Sequence, residues 1–471
     1  MLDWPAGLAV DGAGNVYVAD YGNNALRKIT PAGYVTTLYG GPNAATPFPC
    51  SALALDGAGN LFVVSSSFIE ISATGARTTL PAMPMGTGLP GAVAVDSAGN
   101  LYAAQNNAIF KGSPVWVSQQ SGSVTVASGH SAVFSVAPGG ASSPTYQWFF
   151  NSSPISGATD FLLLVGGATT ANAGSYQCLI TGPTGATTTS TAATLDVVAS
   201  SSPGYLLNLS ARAAASGDPA DAVIGGFGIS GSGSKQLLIR GIGPGLTTSF
   251  GLAGSLPATQ LSLYSAAKTV INQNSGWGGS PALAAADAAL GAFAVPAGST
   301  DSMLYVPIPA GAYTIALSGV GGATGVGLVE LYDADPVPAA SRLVNLSARA
   351  PVGPGPSILI GGFAIGGATD ETILVRAIGP SLATVFNLPG VLAQPVLTLF
   401  DSGQNVVASN EGWGGDPVLA GVEASVGAYA ISSSSQDSLF LITLPPGKYT
   451  AQVSGAGGGA GIAAVEIYEV P

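Results

Sequence analysis

Short runs of apolar residues separated by turn-forming residues follow one another along the whole chain. The runs are rich in Val, Ile, Leu and Thr, and Gly, Ser, Pro or Asn interrupts them every few residues. Side chains of the first group favour strands, whereas the interrupting residues favour turns. Nowhere do about 18 apolar residues follow one another without a break, the length that a membrane-spanning helix needs. The pattern predicts an all-β protein with many short strands, very little helix and no membrane insertion.

Three related segments occupy the first quarter of the chain. The first reads Gly-Leu-Ala-Val-Asp-Gly-Ala-Gly-Asn-Val-Tyr-Val from residue 7, and its aspartate, Asp11, recurs as Asp56 and Asp96. These intervals suit four short strands per unit, with the Asp-x-x-Gly-Asn core as a tight turn. The segments resemble the NHL-repeat family of β-propellers. The resemblance implies an incomplete propeller over residues 1–112, and since a ring needs about four to eight blades, we expect further blades upstream.

Residues 113–199 have another pattern, which resembles an immunoglobulin-like sandwich. Trp148 takes the core position on strand C and Cys178 the position on strand F, while Tyr176, two residues earlier, takes the tyrosine-corner position. Counting the alternation of strand B places Val136 opposite Cys178. We therefore expect this domain to lack the inter-sheet disulfide and to depend on packing around the tryptophan.

Residues 204–335 and 341–471 are two copies of one unit. The offset between matching motifs stays at 136 or 137 residues, which predicts two tandem β-sandwich or jelly-roll domains of about 130 residues. Domain boundaries are expected at residue 113, at 199–204 and at 334–341. The unit resembles modules near the C-termini of large exported bacterial proteins, a resemblance that implies no enzymatic activity. The matching motifs are Leu-Asn-Leu-Ser-Ala-Arg212 with Val-Asn-Leu-Ser-Ala-Arg349, Ile-Gly-Gly-Phe227 with Ile-Gly-Gly-Phe363, and Gly276-Trp-Gly-Gly with Gly412-Trp-Gly-Gly.

The composition is unusually poor in charge. Charged residues make up 8% of the chain, whereas about 25% is usual, and the chain has 68 glycines and 33 prolines. The net charge of −12, with twelve scattered Lys and Arg, disfavours nucleic acid and anionic membranes as partners. The two cysteines, Cys50 and Cys178, fall in different predicted domains, so we expect neither an intrachain disulfide nor a cysteine metal site.

Few residues offer catalytic or metal-binding chemistry. His130 is the only histidine, and we interpret it as a solvated turn residue before strand B, which excludes histidine-based triads and metal sites. The turn aspartates Asp11, Asp56 and Asp96, each followed by an asparagine, could be imagined as calcium ligands. Bonding to their own backbone is the simpler interpretation. We therefore predict no catalytic residue, no metal and no cofactor.

Four pairs of charged residues recur in the two copies. In a chain so poor in charge, arginines on apolar strands should pair internally with carboxylates or carbonyls; contact with an anion or a glycan is the alternative. The two Ile-Gly-Pro motifs, ending at Pro244 and Pro380, are interpreted as turns, since no helix is signalled and no phosphate-loop lysine follows. The recurring pairs are Arg212 with Arg349, Arg240 with Arg376, Asp301 with Asp437, and Glu330 with Glu466.

Two loop tryptophans give the candidate ligand contacts. Trp277 and Trp413 lie in Gly-Trp-Gly-Gly turns preceded by Asn274 and Asn410. A loop-borne indole beside amides forms many sugar-binding surfaces. An indole that caps the open end of a sandwich would need the same glycines, and core capping is the interpretation that we prefer.

These observations favour a non-enzymatic, secreted or cell-surface multidomain protein with a structural, adhesive or binding role. The expected partner is an extracellular polysaccharide or a cell-surface protein. Two alternatives stay open: a glycan-binding accessory region of a larger exoenzyme, and a propeller enzyme whose active-site blades lie upstream. No basic and apolar leader pattern precedes the first repeat, so the export signal is also expected upstream of this chain.

Overall fold

The computed structural model confirms an all-β protein and divides into two compact units. It describes residues 2–470 except 42–47, 57–58, 66–67, 74, 76, 80–90, 97–100, 106, 112–114, 140–142, 183–186, 216–222, 336–339 and 356. The predicted boundary at residue 113 and half of the hinge at 334–341 therefore lie outside the described residues. No helix in the described part is long and apolar enough to cross a membrane. The first unit comprises Met1–Gly122, Ser135–Leu163 and Ser175–Ala193, and the second comprises Ser123–Phe134, Leu164–Gly174 and Thr194–Pro471.

The first unit begins with three small antiparallel sheets, each a meander of neighbouring strands. The first sheet holds β1 (Pro5–Val10), β2 (Val16–Asp20), β3 (Ala25–Ile29) and β4 (Val35–Gly40). The second holds β5 (Ala52–Leu55), β6 (Leu61–Val64), β7 (Phe68–Ile71) and β8 (Arg77–Thr79). The third, in its described part, holds β9 (Ala92–Val95), β10 (Leu101–Gln105) and β11 (Ala108–Lys111).

The turn chemistry of these sheets is local, as the sequence predicts. The Asp11 carboxylate accepts hydrogen bonds from the backbone N–H groups of Ala13 (3.0 Å) and Asn15 (2.8 Å), and the Asn15 side chain donates to it as well (2.8 Å). Asp56 and Asn60 repeat the arrangement in the second sheet, with a backbone hydrogen bond of 2.8 Å and a side-chain hydrogen bond of 2.9 Å. These aspartates are thus occupied in holding their own turns.

Adjacent sheets pack face to face. Apolar side chains of the first two sheets form one core, and those of the second and third sheets form another together with Trp116. Leu53 of the second sheet is buried against the first sheet, whereas its counterpart Leu8 is 66% exposed and Val10 is 60% exposed. The first sheet therefore presents an uncovered apolar face of the kind that the other two bury.

The described part of the immunoglobulin-like segment contains nine strands, which are divided between the two units. Strand β12 pairs with β14, β15 with β16 and β18, β18 with β19, and β13 runs parallel to β20. Trp148 lies directly opposite Cys178 in the β15–β18 pair, and both side chains are buried. Cys178 is a free thiol, as predicted. The strands are β12 (Trp116–Gln120), β13 (Val124–Ala127), β14 (Ala132–Gly139), β15 (Thr145–Phe150), β16 (Ser153–Pro154), β17 (Leu162–Val165), β18 (Gly174–Thr181), β19 (Thr187–Thr189) and β20 (Ala193–Val198).

The two C-terminal repeats share one continuous 14-stranded sheet in the second unit. Repeat 1 contains β21 (Tyr205–Ala215), β22 (Val223–Ile242), β23 (Thr259–Ser265), β24 (Val270–Asn274), β25 (Ser302–Gly319) and β26 (Gly325–Asp333). Repeat 2 contains β27 (Ser341–Val352), β28 (Leu359–Gly366), β29 (Glu371–Ile378), β30 (Pro395–Asp401), β31 (Val406–Asn410), β32 (Ser438–Leu444), β33 (Gly447–Gly455) and β34 (Gly461–Glu469).

The repeats are joined by reciprocal strand pairing. The first strand of repeat 1, β21, pairs with β28 of repeat 2, and the first strand of repeat 2, β27, pairs with β22 of repeat 1. Arg212 lies opposite Ile360 in one pair, and Arg349 lies opposite Ile224 in the other. The matching registers show a pseudo-twofold relation, and each repeat completes the sheet of the other.

Four short α-helices interrupt the described strands of the second unit, and they correct one sequence prediction. They are α1 (Pro244–Phe250), α2 (Pro281–Ala289), α3 (Pro380–Phe386) and α4 (Pro417–Ser425). The prediction that the motifs ending at Pro244 and Pro380 are turns without a helix is wrong. Each proline is the first residue of a helix, where its fixed φ is suitable and its missing N–H costs nothing. Ser280 and Asp416 cap α2 and α4 by accepting from the N–H of the third helical residue.

Candidate functional site

A buried ion pair forms the innermost part of the candidate site in repeat 1. Arg240 is fully buried and donates to Glu330 through Nε (2.9 Å) and Nη2 (2.6 Å). Its Nη1 donates to the Phe293 carbonyl at 2.7 Å and lies 3.1 Å from Asp287. Such a charge is tolerated in the interior only when it is paired in this way.

Repeat 2 contains the same pair. Arg376 donates to Glu466 through Nε (2.8 Å) and, through Nη1, to Glu423 (2.8 Å) and to the Tyr429 carbonyl (2.8 Å). Asp301 and its counterpart Asp437 are also satisfied internally, because each accepts backbone N–H groups at the start of a helix, including Gly243 at 2.6 Å in repeat 1. Internal pairing thus accounts for three of the four recurring pairs.

The fourth pair, Arg212 and Arg349, behaves differently. Both side chains are half-buried and stand on the outward face of their strands, where neighbouring positions alternate with buried ones. Neither guanidinium has a hydrogen bond or an ion pair with a described residue. Internal pairing among the described residues therefore does not account for these two arginines.

Arg212 stands on the floor of an open groove of about 560 Å³. Strand register sets Glu330, Ser210, Gly362 and Thr450 side by side across β26, β21, β28 and β33. The next row across the same strands consists of Leu328, Arg212, Ile360 and Gln452. Both repeats therefore contribute to one floor.

Glycine keeps that floor open. A Cβ atom at Gly362 would lie 2.4 Å from the Ser210 hydroxyl oxygen, and one at Gly226 would lie 2.6 Å from the corresponding oxygen of Ser347. Both distances are below normal contact, so a side chain at either position would require the opposite serine hydroxyl to turn away. The second glycine of each Ile-Gly-Gly-Phe motif thus leaves room for the serine opposite it.

The walls of the groove combine aromatic and polar groups. On one side, Phe250 at the end of α1 is 62% exposed and packs edge-on against Phe293, with ring centroids 4.9 Å apart. On the other side, Asp401 and Gln404 belong to the turn between β30 and β31. Hydrogen bonds from the Asn405 side chain hold the pKa of Asp401 below its usual value, so this carboxyl is ionised at neutral pH.

Ring faces beside charged groups, amides and hydroxyls suit a polyhydroxylated ligand. An aromatic ring can cover the apolar C–H face of a sugar, while a guanidinium, a carboxylate and amides exchange hydrogen bonds with its hydroxyl groups. Among the described residues, no group of three or more His, Cys, Asp or Glu side chains could hold a metal ion. The groups that line the groove are hydrogen-bonding side chains and aromatic rings.

The sequence-predicted ligand residues lie elsewhere. Trp277 and Trp413 are only 6% and 5% exposed, and their indole N–H groups donate to the carbonyls of Pro296 and Ser432, both at 3.2 Å. Trp277 belongs to a core cluster with residues of α1 and β25. This placement favours the core-capping interpretation.

The accompanying asparagines do not line the groove either. Asn274 Oδ1 accepts a hydrogen bond from the Met303 N–H at 3.0 Å, which ties the end of β24 to β25. Asn410, its counterpart, is half-buried at the end of β31. Sequence reasoning missed Asp401 and Gln404, because they approach Arg212 only through pairing between the repeats. It missed Phe250 of repeat 1 because this residue ends a helix that the sequence did not predict. The one available signal was the recurrence of Arg212 as Arg349.

His130 is not the solvated turn residue that the sequence suggested. Its side chain is 13% exposed, and Nδ1 lies 3.0 Å from Oε2 of the fully buried Glu371. The strand segment around it is held against repeat 2 by hydrogen bonds from Thr125 N–H to Asp370 (2.8 Å) and from Val133 N–H to Thr443 (2.8 Å). Histidine therefore serves as the partner of a buried carboxyl, a contact over 241 residues of sequence that no local pattern could indicate.

Comparison with known proteins identifies one family. The NHL repeat model matches residues 2–29, which confirms the first of the three predicted NHL segments. No match to this chain was found among curated proteins. The match spans β1 to β3 of the first sheet.

Solved structures similar to parts of the chain include a lyase and proteins with Ig domains. Virginiamycin B lyase from Staphylococcus aureus is 14% identical over 40% of this chain and 69% of its own, with a TM-score of 0.19. The N-terminal four Ig domains of Dscam1 isoform 8.4 are 17% identical over 30% of this chain, with a TM-score of 0.17, and the alignment spans 27% of that structure. Titin M4 is 16% identical over 17% of this chain and 94% of its own, with a TM-score of 0.15.

Proposed function

We propose that this chain is a non-enzymatic binding protein, secreted or displayed on a cell surface, whose C-terminal repeats bind an extracellular polysaccharide. The groove around Arg212 carries the proposal. It is wide and open, its floor comes from both repeats, and its walls set an exposed phenylalanine opposite an ionised carboxylate and an amide. These are the groups with which proteins recognise sugar rings. A cell-surface glycoprotein could present the same chemistry.

The composition supports a role outside the cell that does not involve acid–base catalysis. A chain with 8% charged residues and one histidine offers few groups able to transfer protons near neutral pH. The single histidine is engaged with Glu371. We therefore expect the purified chain to show no turnover of ester, lactone or glycoside substrates. A turnover abolished by one Asp or Glu substitution would refute the non-enzymatic assignment.

The test measures the fraction of the full chain that a panel of insoluble neutral polysaccharides removes from solution. The test variants are Phe250→Ala and Gln404→Ala, which remove one group from each wall of the groove. Both side chains are solvent-accessible, so we expect normal folding and a loss of binding of about tenfold or more for the pair. Tyr305→Ala is the matched control, because this aromatic residue of repeat 1 is 46% exposed and does not line the groove. Equal binding by all three proteins would refute the assignment of the groove.

A further inference from the structure

The pseudo-twofold relation places a second floor of the same design around Arg349. Register sets Glu466, Ser347, Gly226 and Thr314 side by side across β34, β27, β22 and β25. The next row consists of Ala464, Arg349, Ile224 and Ala316. Each residue takes the position of its counterpart in the first floor, and Glu466 is already paired with the buried Arg376.

The elements that flank this second floor correspond to the walls of the first groove, and we call the surface that they frame the second groove. Phe386 ends α3, is 55% exposed and packs edge-on against Tyr429, with ring centroids 5.0 Å apart. On the opposite side, the turn between β23 and β24 takes the place of the turn between β30 and β31. Lys268 has the same backbone hydrogen bond and the same positive φ (60°) as Gln404 (64°). Lys268 therefore occupies the wall position that Gln404 holds in the first groove.

The two grooves differ in charge. Asp401 of the first groove is replaced by Ser265, and Gln404 is replaced by Lys268. These two exchanges make the second groove more positive by two charges. The residues that flank Arg349 are Ala464 and Ala316, in place of Leu328 and Gln452. The guanidinium therefore stands between two small side chains and has no hydrogen bond or ion pair with a described residue.

We propose that this second groove is a binding site for an anionic polysaccharide, in which Arg349 and Lys268 pair with a carboxylate or sulfate group. A guanidinium donates two parallel hydrogen bonds to such a group, and a lysine at the rim adds a charge that long-range attraction can use. In the first groove, the carboxylate of Asp401 offsets the charge of Arg212, so the same group is bound less favourably there. The inference rests on the proposed saccharide-binding function of the repeats and adds the chemical class of one ligand.

The test measures the dissociation constant of the full chain for two matched pairs of soluble polymers. Polygalacturonate is compared with its methyl ester, and dextran sulfate with dextran, so that only the anionic group changes within a pair. We expect at least one anionic polymer to bind about tenfold more tightly than its neutral partner at low salt, and this preference to shrink as ionic strength rises. The pair that shows the preference identifies carboxylate or sulfate as the group.

Two variants assign the preference to the second groove. Lys268→Gln introduces the residue type of Gln404, which has the same backbone conformation in the first groove. Arg349→Gln removes the positive charge on the floor of the second groove. Each should weaken binding of the anionic polymer by about tenfold. Lys111→Gln, which removes an exposed lysine of the first unit, is the charge-matched control and should leave the dissociation constant unchanged. Since the Lys268 side chain is exposed, its variant remains informative even if Arg349→Gln proves unstable.

The outcomes separate this inference from the proposed function. Equal binding of charged and neutral polymers, lost in Phe250→Ala and Gln404→Ala but retained in Lys268→Gln, would overturn the anionic site and leave the polysaccharide function standing. An anionic preference that survives both Lys268→Gln and Arg349→Gln would also overturn it. Failure to bind any polymer, neutral or anionic, would refute the proposed function itself.

Discussion

Replacing Trp277 by alanine distinguishes a core tryptophan from a ligand-binding one. The indole is 6% exposed and packs in a cluster that includes Leu246, Val295 and Met303. Truncation of a buried tryptophan to alanine costs about 3–5 kcal/mol, because apolar area is lost and a cavity remains. The hydrogen bond from the indole N–H to the Pro296 carbonyl (3.2 Å) is lost as well. Against a total stability of about 5–15 kcal/mol, this is a large fraction.

The expected result for Trp277→Ala is a fall in the unfolding temperature of the second unit of about 10 °C or more. Urea unfolding followed by far-ultraviolet circular dichroism measures the free energy without relying on tryptophan fluorescence. Trp277→Phe keeps most of the apolar contact and should cost about 1–2 kcal/mol. Trp4→Ala is the matched exposed control, since Trp4 is 76% exposed, and should change stability by less than about 0.5 kcal/mol.

Polysaccharide binding by the same variants completes the assay. We expect any binding by the wild-type chain to persist in Trp277→Phe, because the groove around Arg212 does not contain this indole. Loss of binding in Trp277→Ala with unchanged unfolding would refute the packing argument and restore the tryptophan as a ligand contact. The same comparison applies to Trp413, which is 5% exposed.

Three further predictions concern stability and assembly. Burial raises the pKa of Glu469 to about 8, whereas an unfolded glutamate titrates near 4.3. The folded state therefore holds an extra proton at Glu469 between these values, so the contribution of this group to stability should decrease as the pH rises from about 5 to 8. Thermal unfolding at both pH values, with Glu469→Gln reducing the difference, checks this, and a difference that the variant leaves unchanged would contradict it. Repeat 1 expressed alone as residues 204–335 leaves the edges of β21 and β22 unpaired, so it should self-associate in light scattering, whereas 204–471 stays monomeric. Residues 1–112 alone, with Leu8 and Val10 exposed, should aggregate or be cleaved in limited proteolysis, and a compact, resistant monomer would show that reasoning to be wrong.

Features set by neighbouring residues could be predicted from the sequence. The all-β class follows from short β-favouring runs between turn residues, and the turn around Asp11 follows from a side chain that bonds its own backbone. The internal pairing of Arg240 with Glu330 follows from the cost of an unpaired buried charge. Each of these arguments needs only residue chemistry and local spacing.

Features set by distant pairing could not be predicted. Phe250 and Arg212 of repeat 1 line one groove with Gln404 of repeat 2. The sequence around each residue gives no indication of this proximity. The seven-residue helices beginning at Pro244 and Pro380 are too short for a helical period to be visible, so glycine and proline suggested turns. His130 pairs with Glu371, which belongs to a different predicted domain.

The duplicated repeats separate the residues that maintain the fold from those that can vary in recognition. The buried pair of Arg240 and Glu330 recurs with the same geometry in repeat 2, because losing either partner would leave an uncompensated interior charge. The side chain of Gln404 does not stabilise the interior, because it is exposed to solvent in the groove. Its counterpart Lys268 has the same backbone conformation with a different side chain. A difference confined to the rim changes the charge of a groove without disturbing its floor. Two grooves on one scaffold can therefore recognise different groups of the same or different polymers, and the charge exchange at the rim is the physical reason to expect that they do.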